Sequence, residues 1–486
     1  MRQTIFGRSS PDEPWIRPAV LWVLLLLIVE AVLVLTIAIE PRTTVGLVGA
    51  LAGALLVLER PLVGVVLLIA ARLLSTGALV FVRIGKMGIG PFEPVLLLCL
   101  GALTFYAIFH RTRIWAAFPW KAPFLALVAL TGVSIFWNTN SKDAITELIP
   151  MALIMANALV ILTFVRTWQD LRLVLLAWVG TCILVGILNQ FSSQLTFLDT
   201  ASFKAAEGGG RSTGLGQQPN WYAMNLMFII PTTFGLALVE RARWLRISLI
   251  IAGAWIFYSM LQSGSRGGAY ATMIGGVLVS FAHPSFRKWF SRLGVATVIG
   301  GGFIVLSDLS AAKAITRVTS NALVLTQNYR FWNWEVCWNM FQDTFGLGIG
   351  AGGYEDLLPS YNYYVSQSLY DYPHGIFWQM LAHFGLPGLV ILAWLILTIF
   401  WMSREVIRLT KGTVAEIIAW TMPAAMLAYF AWSFVEFTIS DKPFWEFLTL
   451  YTVLYLLAKR AEKGEITIPA WDRRTDFLRA RPATQP

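Results

Sequence analysis

Apolar runs of about 20 residues recur along most of the chain, and short polar segments separate them. A helix needs a run of this length to cross roughly 30 Å of hydrocarbon. We therefore predict about 12 to 14 transmembrane helices, of which the second and fifth are short. The predicted spans are 19–39, 43–58, 61–82, 91–109, 122–137, 146–165, 171–191, 220–240, 245–262, 267–282, 289–306, 377–402, 415–435 and 443–458.

Composition favours the same fold class. Hydrophobic residues make up 57% of the chain and charged residues only 13%, whereas soluble domains carry about 25% charged residues. The first apolar run follows Arg2, Arg8 and Arg17 and is longer than the core of a signal peptide, so we interpret it as a membrane anchor. The chain is predicted to be an all-α, polytopic integral membrane protein.

The net charge of +10 would suit a nucleic-acid-binding protein, but the basic residues follow the membrane pattern. Lys and Arg concentrate in cytoplasmic loops of membrane proteins, and most of them fall on one side of the predicted helices. This predicts a multi-pass protein of the bacterial inner membrane with both termini in the cytoplasm, contacts with membrane lipids and no nucleic-acid partner. The densest basic sets are Arg111, Arg113 and Lys121; Arg241, Arg243 and Arg246; Arg287, Lys288 and Arg292; Arg404, Arg408 and Lys411; and those after Lys459.

The same pattern divides the chain into five predicted regions. They are N-terminal transmembrane helices over 1–120, a transmembrane core over 121–306 with an external loop at 192–219, a large external loop of short helices over 307–376, C-terminal transmembrane helices over 377–458, and a basic cytoplasmic tail over 459–486.

The polar segments on the predicted periplasmic face are unusual for their length and aromatic content. Loops as long as 307–376 are uncommon unless they are functional or disordered, and disordered segments lack aromatic residues. Within this loop, aromatic residues recur at helical spacing. The stripe is typical either of a helix on the membrane interface or of a platform that stacks sugar rings. Its members are Phe331, Trp334, Trp338, Phe341 and Phe345.

Metal and nucleotide sites are not predicted. Cys99, Cys182 and Cys337 lie far apart and show no metal-ligand spacing. The glycine-rich stretch 346–353 lacks the strand and the βαβ unit that a dinucleotide fingerprint requires. We expect its glycines to permit a tight turn or a close approach of the backbone to a ligand or a neighbouring helix, and we predict no cofactor.

Several short motifs together resemble the C-terminal signature of the O-antigen ligase and O-antigen polymerase superfamily. The resemblance covers roughly 120–435 with the motifs in order, although Gly375 stands where Asn commonly follows the His. The motifs are Ser263-Gly-Ser-Arg-Gly-Gly-Ala269, Arg330 with Trp334, Gly346-Leu-Gly-Ile-Gly350 with Tyr354, Pro373-His374 leading into Phe384-Gly-Leu-Pro-Gly388, and Arg211-Ser-Thr-Gly214 followed by Gln218-Pro-Asn220.

This resemblance implies a membrane glycosyltransferase of the GT-C-like kind. Such an enzyme moves a glycan from an undecaprenyl-diphosphate carrier to an acceptor hydroxyl by a metal-independent, inverting reaction. The acceptor would be a glycan, a lipid or a protein, and the choice between ligase, polymerase and protein oligosaccharyltransferase stays open. The active site would lie on the periplasmic face.

Three residues are candidates for catalysis. Negative charge develops on a diphosphate leaving group, and guanidinium forks bind phosphate oxygens bidentately, so Arg266 and Arg330 are predicted to stabilise it. Their alternative role is general binding of lipid phosphate. His374 is the candidate base because an imidazole accepts protons near neutral pH and the other histidines fall in cytoplasmic loops or a helix. Pro373 predicts a helix start at this point, so His374 could instead only cap or pack that start.

Four further residues are predicted to contact the substrate. Arg211 follows three glycines and would reach the lipid head group, or bind lipid phosphate in general. The resemblance places Asn220 and Tyr354 beside the substrate. Asp371 would orient the imidazole of His374, although an Asp before a Pro-led helix is more often only a cap.

Two charged residues lie near mid-membrane. Glu30 and Arg72 are costly there unless they are paired, so they are predicted to form an ion pair with each other. Intramembrane charges are also typical of carriers, which makes a transporter of polar or anionic solutes the alternative function. A transporter would place its polar groups at the midplane near broken helices, whereas this sequence concentrates them at one face.

Overall fold

A computed structural model describes residues 53–75, 82–84, 87–110, 118–138, 140–190, 218–282, 329–361, 372–434, 436 and 439–470. The predicted helices at 19–39 and 289–306 lie outside these residues, as do Glu30, Arg211 and Asp371. The chain divides into two compact units, 1–63 and 64–486, and the boundary falls inside a helix. Of the first unit the structure describes 53–63, which is helical over 53–59 and again over 61–63.

The described residues form helices with one small β-ribbon. The first helices are α1 (Pro61–Leu74), α2 (Phe92–Phe109), α3 (Lys121–Val133, continued by a 3-10 turn at Ser134–Phe136), α4 (Ser141–Phe164), α5 (Trp168–Gln190), α6 (Pro219–Val239), α7 (Arg243–Gln262) and α8 (Arg266–Ala282). The later ones are α9 (Tyr329–Asp343), α10 (Tyr354–Tyr361), α11 (Ile376–Thr410), α12 (Glu416–Ser433) and α13 (Lys442–Glu462).

These elements confirm the all-α, polytopic class. Among the described helices, six are long and apolar enough to cross a membrane, namely α2, α4, α5, α6, α7 and α11. Helices suit this environment because every backbone donor and acceptor inside a bilayer must be satisfied within the protein. Local signals fix several ends: the Asn140 side chain accepts from the backbone N–H of Lys142 to cap α4, and Pro219 opens α6.

The third predicted span was too long. We predicted a helix over 61–82, but α1 ends at Leu74 and a two-stranded antiparallel ribbon, β1 (Val82–Ile84) with β2 (Met87–Ile89), follows further along the chain. The β-branched residues of this short stretch favour extended backbone, and the glycines within it are poor helix formers.

Helix α6 forms the centre of the bundle. It packs against α5, α7, α8 and α12, and its whole apolar span is buried inside the protein. Phe228 on α6 contacts the rings of Tyr429 on α12 and Phe447 on α13, with centroids 5.2 and 4.9 Å apart. The start of α6, which carries the predicted Pro-Asn motif, is therefore held by several helices at once.

Helix α11 is broken near its start, and the glycine-rich stretch fills the break. Gly385 adopts φ 57° and ψ −140°. Pro387 has no N–H to donate to the carbonyl of His383, so that carbonyl needs another donor. The backbone N–H of Gly350 supplies it at 2.9 Å. The glycines thus allow the close approach to a neighbouring helix that we expected.

A buried ion pair joins the helices in the bundle interior. Arg72 on α1 pairs with Glu446 on α13, donates to the side-chain oxygen of Asn225 on α6 at 2.7 Å, and lies over the ring of Trp178 on α5 at 4.8 Å. We predicted that Arg72 would pair with Glu30. Glu30 lies outside the described residues, and within them the acid that pairs with Arg72 is Glu446.

Removing one partner of this pair should destabilise the protein strongly. Glu446→Gln leaves the Arg72 charge buried without its counter-ion, which costs roughly 3–5 kcal/mol. Thermal unfolding in detergent would measure the loss.

The control is Glu465→Gln, which removes one partner of the exposed pair with Arg460 and should change stability little. Replacing Arg72 and Glu446 together by Met and Leu should restore most of the loss. Equal stability of Glu446→Gln and the wild type would show that the buried pair contributes nothing.

Candidate functional site

The predicted site motifs gather at one end of the helix bundle. The starts of α6, α8 and α13 and the end of α12 lie at this end, since successive helices run in opposite directions and α8 packs against both α6 and α12. Helix α9 also reaches this end, because Arg330 in its first turn contacts the segment that joins α12 to α13. The structure therefore brings together segments that lie far apart in sequence.

Arg266 is the first residue of α8 and its side chain is exposed. The hydroxyl of Ser265 accepts from the backbone N–H of Gly268 at 3.3 Å, and the hydroxyl of Ser263 accepts from the N–H of Ser265 at 3.2 Å. These serines fix the entry into α8. Arg266 thus combines its own charge with the positive end of a helix dipole, an arrangement that suits an anion.

The two glycines after Arg266 let α8 approach its neighbours closely. A Cβ at Gly267 would overlap the indole of Trp432 on α12. A Cβ at Gly268 would lie 2.8 Å from the Cβ of Ala223 on α6. Glycine is required at both positions for packing, and this packing places the start of α8 next to the end of α12.

A buried carboxylate, Glu436, lies at the centre of the site. It follows α12 and is fully buried. Arg330 pairs with its Oε2 atom, the phenol of Tyr372 donates to its Oε1 atom at 3.1 Å, and Nδ1 of His374 lies 3.4 Å from the same Oε1. One acid therefore holds two of the three residues predicted to be catalytic, Arg330 and His374. We call these four residues the Glu436 cluster.

The segment that carries His374 is fixed by α9. The indole N–H of Trp334 donates to the backbone carbonyl of His374 at 3.4 Å, and the amide of Asn333 donates to the carbonyl of Tyr372 at 3.1 Å. The rings of Tyr372 and His374 are in contact, with centroids 3.9 Å apart and planes tilted by 32°. His374 is only 2% exposed, so its imidazole is held on several sides.

The helix start near His374 differs from our prediction. We placed Pro373 in the first turn and His374 at the positive end of the helix, but α11 begins at Ile376. His374 has φ 52° and Gly375 has φ 146°, which are not helical values. A Cβ at Gly375 would lie 2.5 Å from the carbonyl oxygen of Phe434, so a residue with a side chain would clash at this position.

The charges of the cluster affect one another. Burial raises the pKa of Glu436, but the contact with His374 and the charge of Arg330 outweigh it, and the pKa lies below the ordinary value of a carboxyl group. Burial, and next the charge of Glu436, raise the pKa of Tyr372 well above its usual value. At neutral pH the acid is ionised and the phenol keeps its proton.

Glu436 was missed by the sequence analysis. The predicted helix 415–435 stops directly before it, and none of the motifs includes it. Its position in the sequence could have identified it, because it is a carboxylate in a short connection between two apolar helices. This connection lies on the side of the membrane with few basic residues. Glu436 lies beside the imidazole of His374. Asp371, which we predicted would orient that imidazole, lies outside the described residues, and its role stays a prediction.

The other predicted site residues have different surroundings. Asn220 lies in the first turn of α6 and is half-buried. Tyr354 is 2% exposed and packs in an apolar cluster with Cys337 and Leu358, and its contact with the substrate stays a prediction. Arg211 lies outside the described residues. Within the described ranges, no group of three or more His, Cys, Asp or Glu side chains is arranged to hold a metal ion.

The helices and the polar site at one end of them define a polytopic membrane protein. Residues 251–393 match the family described as O-antigen ligase. The match confirms the resemblance to the O-antigen ligase and polymerase superfamily and implies glycan transfer of the ligase or polymerase type in a membrane, with lipid-linked glycan donors and glycan acceptors. A comparison with curated proteins finds no match.

The close packing of α8 against α12 can be tested with an alanine at Gly267. The added Cβ should push α8 away from Trp432, and overpacking of this kind costs about 1–3 kcal/mol. Thermal unfolding in detergent would report the loss.

Gly275→Ala is the matched control, since it lies on the same helix and its Cβ would meet the Ala424 carbonyl oxygen at an ordinary 3.4 Å. That variant should be neutral or more stable, because alanine favours a helix by about 1 kcal/mol over glycine. If both alanines behaved alike, the glycine at 267 would not be needed for packing.

Proposed function

We propose that this protein transfers a glycan from an undecaprenyl-diphosphate carrier to an acceptor hydroxyl, by a metal-independent reaction that inverts the anomeric centre. The observation that carries the proposal is the Glu436 cluster, in which a cation for the diphosphate and a base for the hydroxyl contact the same carboxylate. The acceptor is the end of a glycan, a lipid or a protein.

In this proposal Arg266 and Arg330 bind the diphosphate. Negative charge grows on the leaving group as its bond to the sugar breaks, so fixed cations stabilise the transition state more than the bound substrate. The side chain of Arg330 is 28% exposed, and its guanidinium has five donors, of which the Glu436 contact uses Nη2. Arg266 adds an exposed charge at a helix start. Arg211 and Asn220 are proposed to assist at the head group.

His374 is the proposed general base. With Glu436 on the Nδ1 side, Nε2 is the atom that would take the proton of the acceptor hydroxyl. Glu436 would hold the ring in position and stabilise the imidazolium that forms, the role an acid has beside histidine in other acyl- and group-transfer enzymes. The depressed pKa of Glu436 makes it a poor base itself.

We propose that the site faces the periplasm and that the termini lie in the cytoplasm of an inner-membrane protein. The opposite end of the bundle carries the starts of α5 and α7 and the ends of α11 and α13. These segments are rich in Arg and Lys. This distribution fits the preference of basic residues for the cytoplasmic side. Examples are Arg166, Arg172, Arg241, Arg243, Arg246, Arg404, Arg408, Lys411, Lys459 and Arg460.

The intramembrane charges support this proposal over a transporter. Arg72 and Glu446 pair with each other inside the bundle, which is the structural role that we weighed against a transport path. The adjacent cavity is small, and it is lined by Leu73, Cys182, Val185, Tyr222, Asn225 and Leu226. A transporter would need a hydrated polar site at this depth.

The roles of base and anion ligand predict different defects. His374→Ala should retain binding of the lipid-linked donor but lose turnover by roughly 10² to 10⁴. Arg330→Ala and Arg266→Ala should lose donor binding and turnover together, and Lys should restore only part because it cannot grip two phosphate oxygens at once. Purified protein, donor and acceptor would show the product as a size shift on a gel.

His110→Ala is the control, since that residue is exposed at the opposite end of the bundle, and it should have normal activity. EDTA should not affect the wild type. Normal transfer by His374→Ala would rule out the proposed base. Absence of transfer by the wild type with every acceptor, together with solute flux in vesicles, would favour a transporter.

Single cysteines test the proposed orientation. The native cysteines in the structure, Cys99, Cys182 and Cys337, are buried and should react slowly. Glu355→Cys on α10 should react with an impermeant thiol reagent in intact spheroplasts, whereas Lys463→Cys after α13 should react only after lysis. Both positions are exposed. Labelling of Lys463→Cys without lysis would invert the orientation.

A further inference from the structure

A groove lies at the far end of α9 from the Glu436 cluster. It holds about 330 Å³ of open volume, at the lower end of the roughly 300–1,000 Å³ of ligand pockets. A helix rises 1.5 Å per residue, so Arg330 and Asp343, which lines the groove, lie about 20 Å apart along the axis of α9. Its lining side chains include Trp137, Asp343, Thr344, Leu347, Leu357 and Tyr361.

The floor of the groove is preformed. The hydroxyl of Thr344 donates to the carbonyl of Met340 at 2.7 Å and accepts from the N–H of Gly348 at 3.0 Å. The N–H of Ile349 donates to the carbonyl of Ala382 on α11 at 2.9 Å. A Cβ at Gly348 would come within 2.6 Å of the α11 backbone, so the floor rests directly on that helix. A ligand would find the groove already shaped, which lowers the cost of binding.

The carboxylate of Asp343 lines this groove. It is exposed at the last position of α9, and none of the described residues forms a hydrogen bond or an ion pair with it. A negative charge at the end of a helix is unfavourable because the dipole is negative there. An ionised carboxylate that only accepts hydrogen bonds is, however, well suited to a ligand rich in hydroxyl groups.

The remaining lining matches the apolar face of such a ligand. Trp137 is 41% exposed although it is large and apolar, and Tyr361 lies across the same groove. Aromatic rings provide rigid apolar surface at a low entropic cost. The aromatic side chains can pack against the C–H faces of a sugar ring. The carboxylate of Asp343 and the hydroxyl of Thr344 can form hydrogen bonds with its hydroxyl groups.

We propose that this groove is a second saccharide site, which holds a sugar of the glycan distant from the bond that reacts. The inference rests on the proposed function, because that function supplies the glycan at this end of the bundle. The groove and the Glu436 cluster would then bind one chain at two points joined by α9. The consequence is selection for glycan length: a donor or acceptor with several repeat units reaches both points, and one with a single unit reaches only the cluster.

The test compares lipid-linked donors that carry one or several repeat units, with purified full-length protein. The wild type should have a KM about tenfold lower for the longer donor, a ratio that corresponds to one decade of affinity. Trp137→Ala and Asp343→Asn should each raise the KM for the longer donor toward that of the short one. Turnover of the short donor should not change.

Trp338→Ala is the matched control, since Trp338 is an aromatic residue of similar exposure, 47%, on α9 and does not line the groove. It should keep the wild-type preference. If it lost the preference as Trp137→Ala does, the exposed aromatic stripe of α9 would be the saccharide surface and the groove assignment would be overturned. Equal KM values for both donors in the wild type would also overturn it.

A binding measurement separates this inference from the proposed function. The probe is the free repeat-unit oligosaccharide released from the native lipid-linked donor, titrated calorimetrically against the protein. Binding that is lost in Asp343→Asn would support the groove even if no transfer were detected. Undecaprenyl phosphate without sugar is the second probe. Loss of its binding in Trp137→Ala, together with no binding of the oligosaccharide, would identify a lipid groove and overturn the inference.

Discussion

The site depends on one constraint, which is that the buried carboxylate of Glu436 must be neutralised. A buried charge without partners costs several kcal/mol, and Glu436 has no solvent exposure. Its partners come from α9, through Arg330, and from the segment before α11, through Tyr372 and His374. These contacts fix both elements against the connection between α12 and α13. The acid that completes the site chemically also holds its parts in place.

Close backbone packing is the second requirement, and it positions the remaining cation. Gly267 and Gly268 permit α8 to lie against Trp432 and Ala223, and Trp432 is on the same chain segment as Glu436. Near the far end of α9, the break in α11 leaves backbone carbonyls without donors from their own helix. Backbone N–H groups of the glycine-rich stretch donate to these carbonyls. The glycines of the two motifs therefore act through packing, and the proposed chemistry rests on Arg330 and His374.

Hydropathy predicted the helical class and most helix bounds in the described part of the chain, because the bilayer imposes one length and one secondary structure. It failed at residue 74, where apolar residues continue beyond the helix that they were expected to extend. Pairing could not be predicted, since Arg72 joins Glu446, which is far away in sequence. Glu436 was missed for the same reason, since a contact between distant segments leaves no periodicity in the sequence.

Arg330 is paired with Glu436, and an arginine already paired with an acid would be a weak ligand for a diphosphate. The position of His374 beside the same acid offers an answer. Two charges arise during the proposed reaction, negative on the leaving diphosphate and positive on the imidazole. In the Glu436 cluster the new negative charge would meet Arg330, and the new positive charge would meet Glu436. Before the reaction, the carboxylate moderates the attraction of Arg330 for the substrate. As His374 becomes protonated, the charge of its imidazolium would partly neutralise Glu436. Arg330 would then attract the negative charge of the leaving group more strongly. Such coupling would strengthen binding in the transition state more than in the ground state, which is the condition for catalysis.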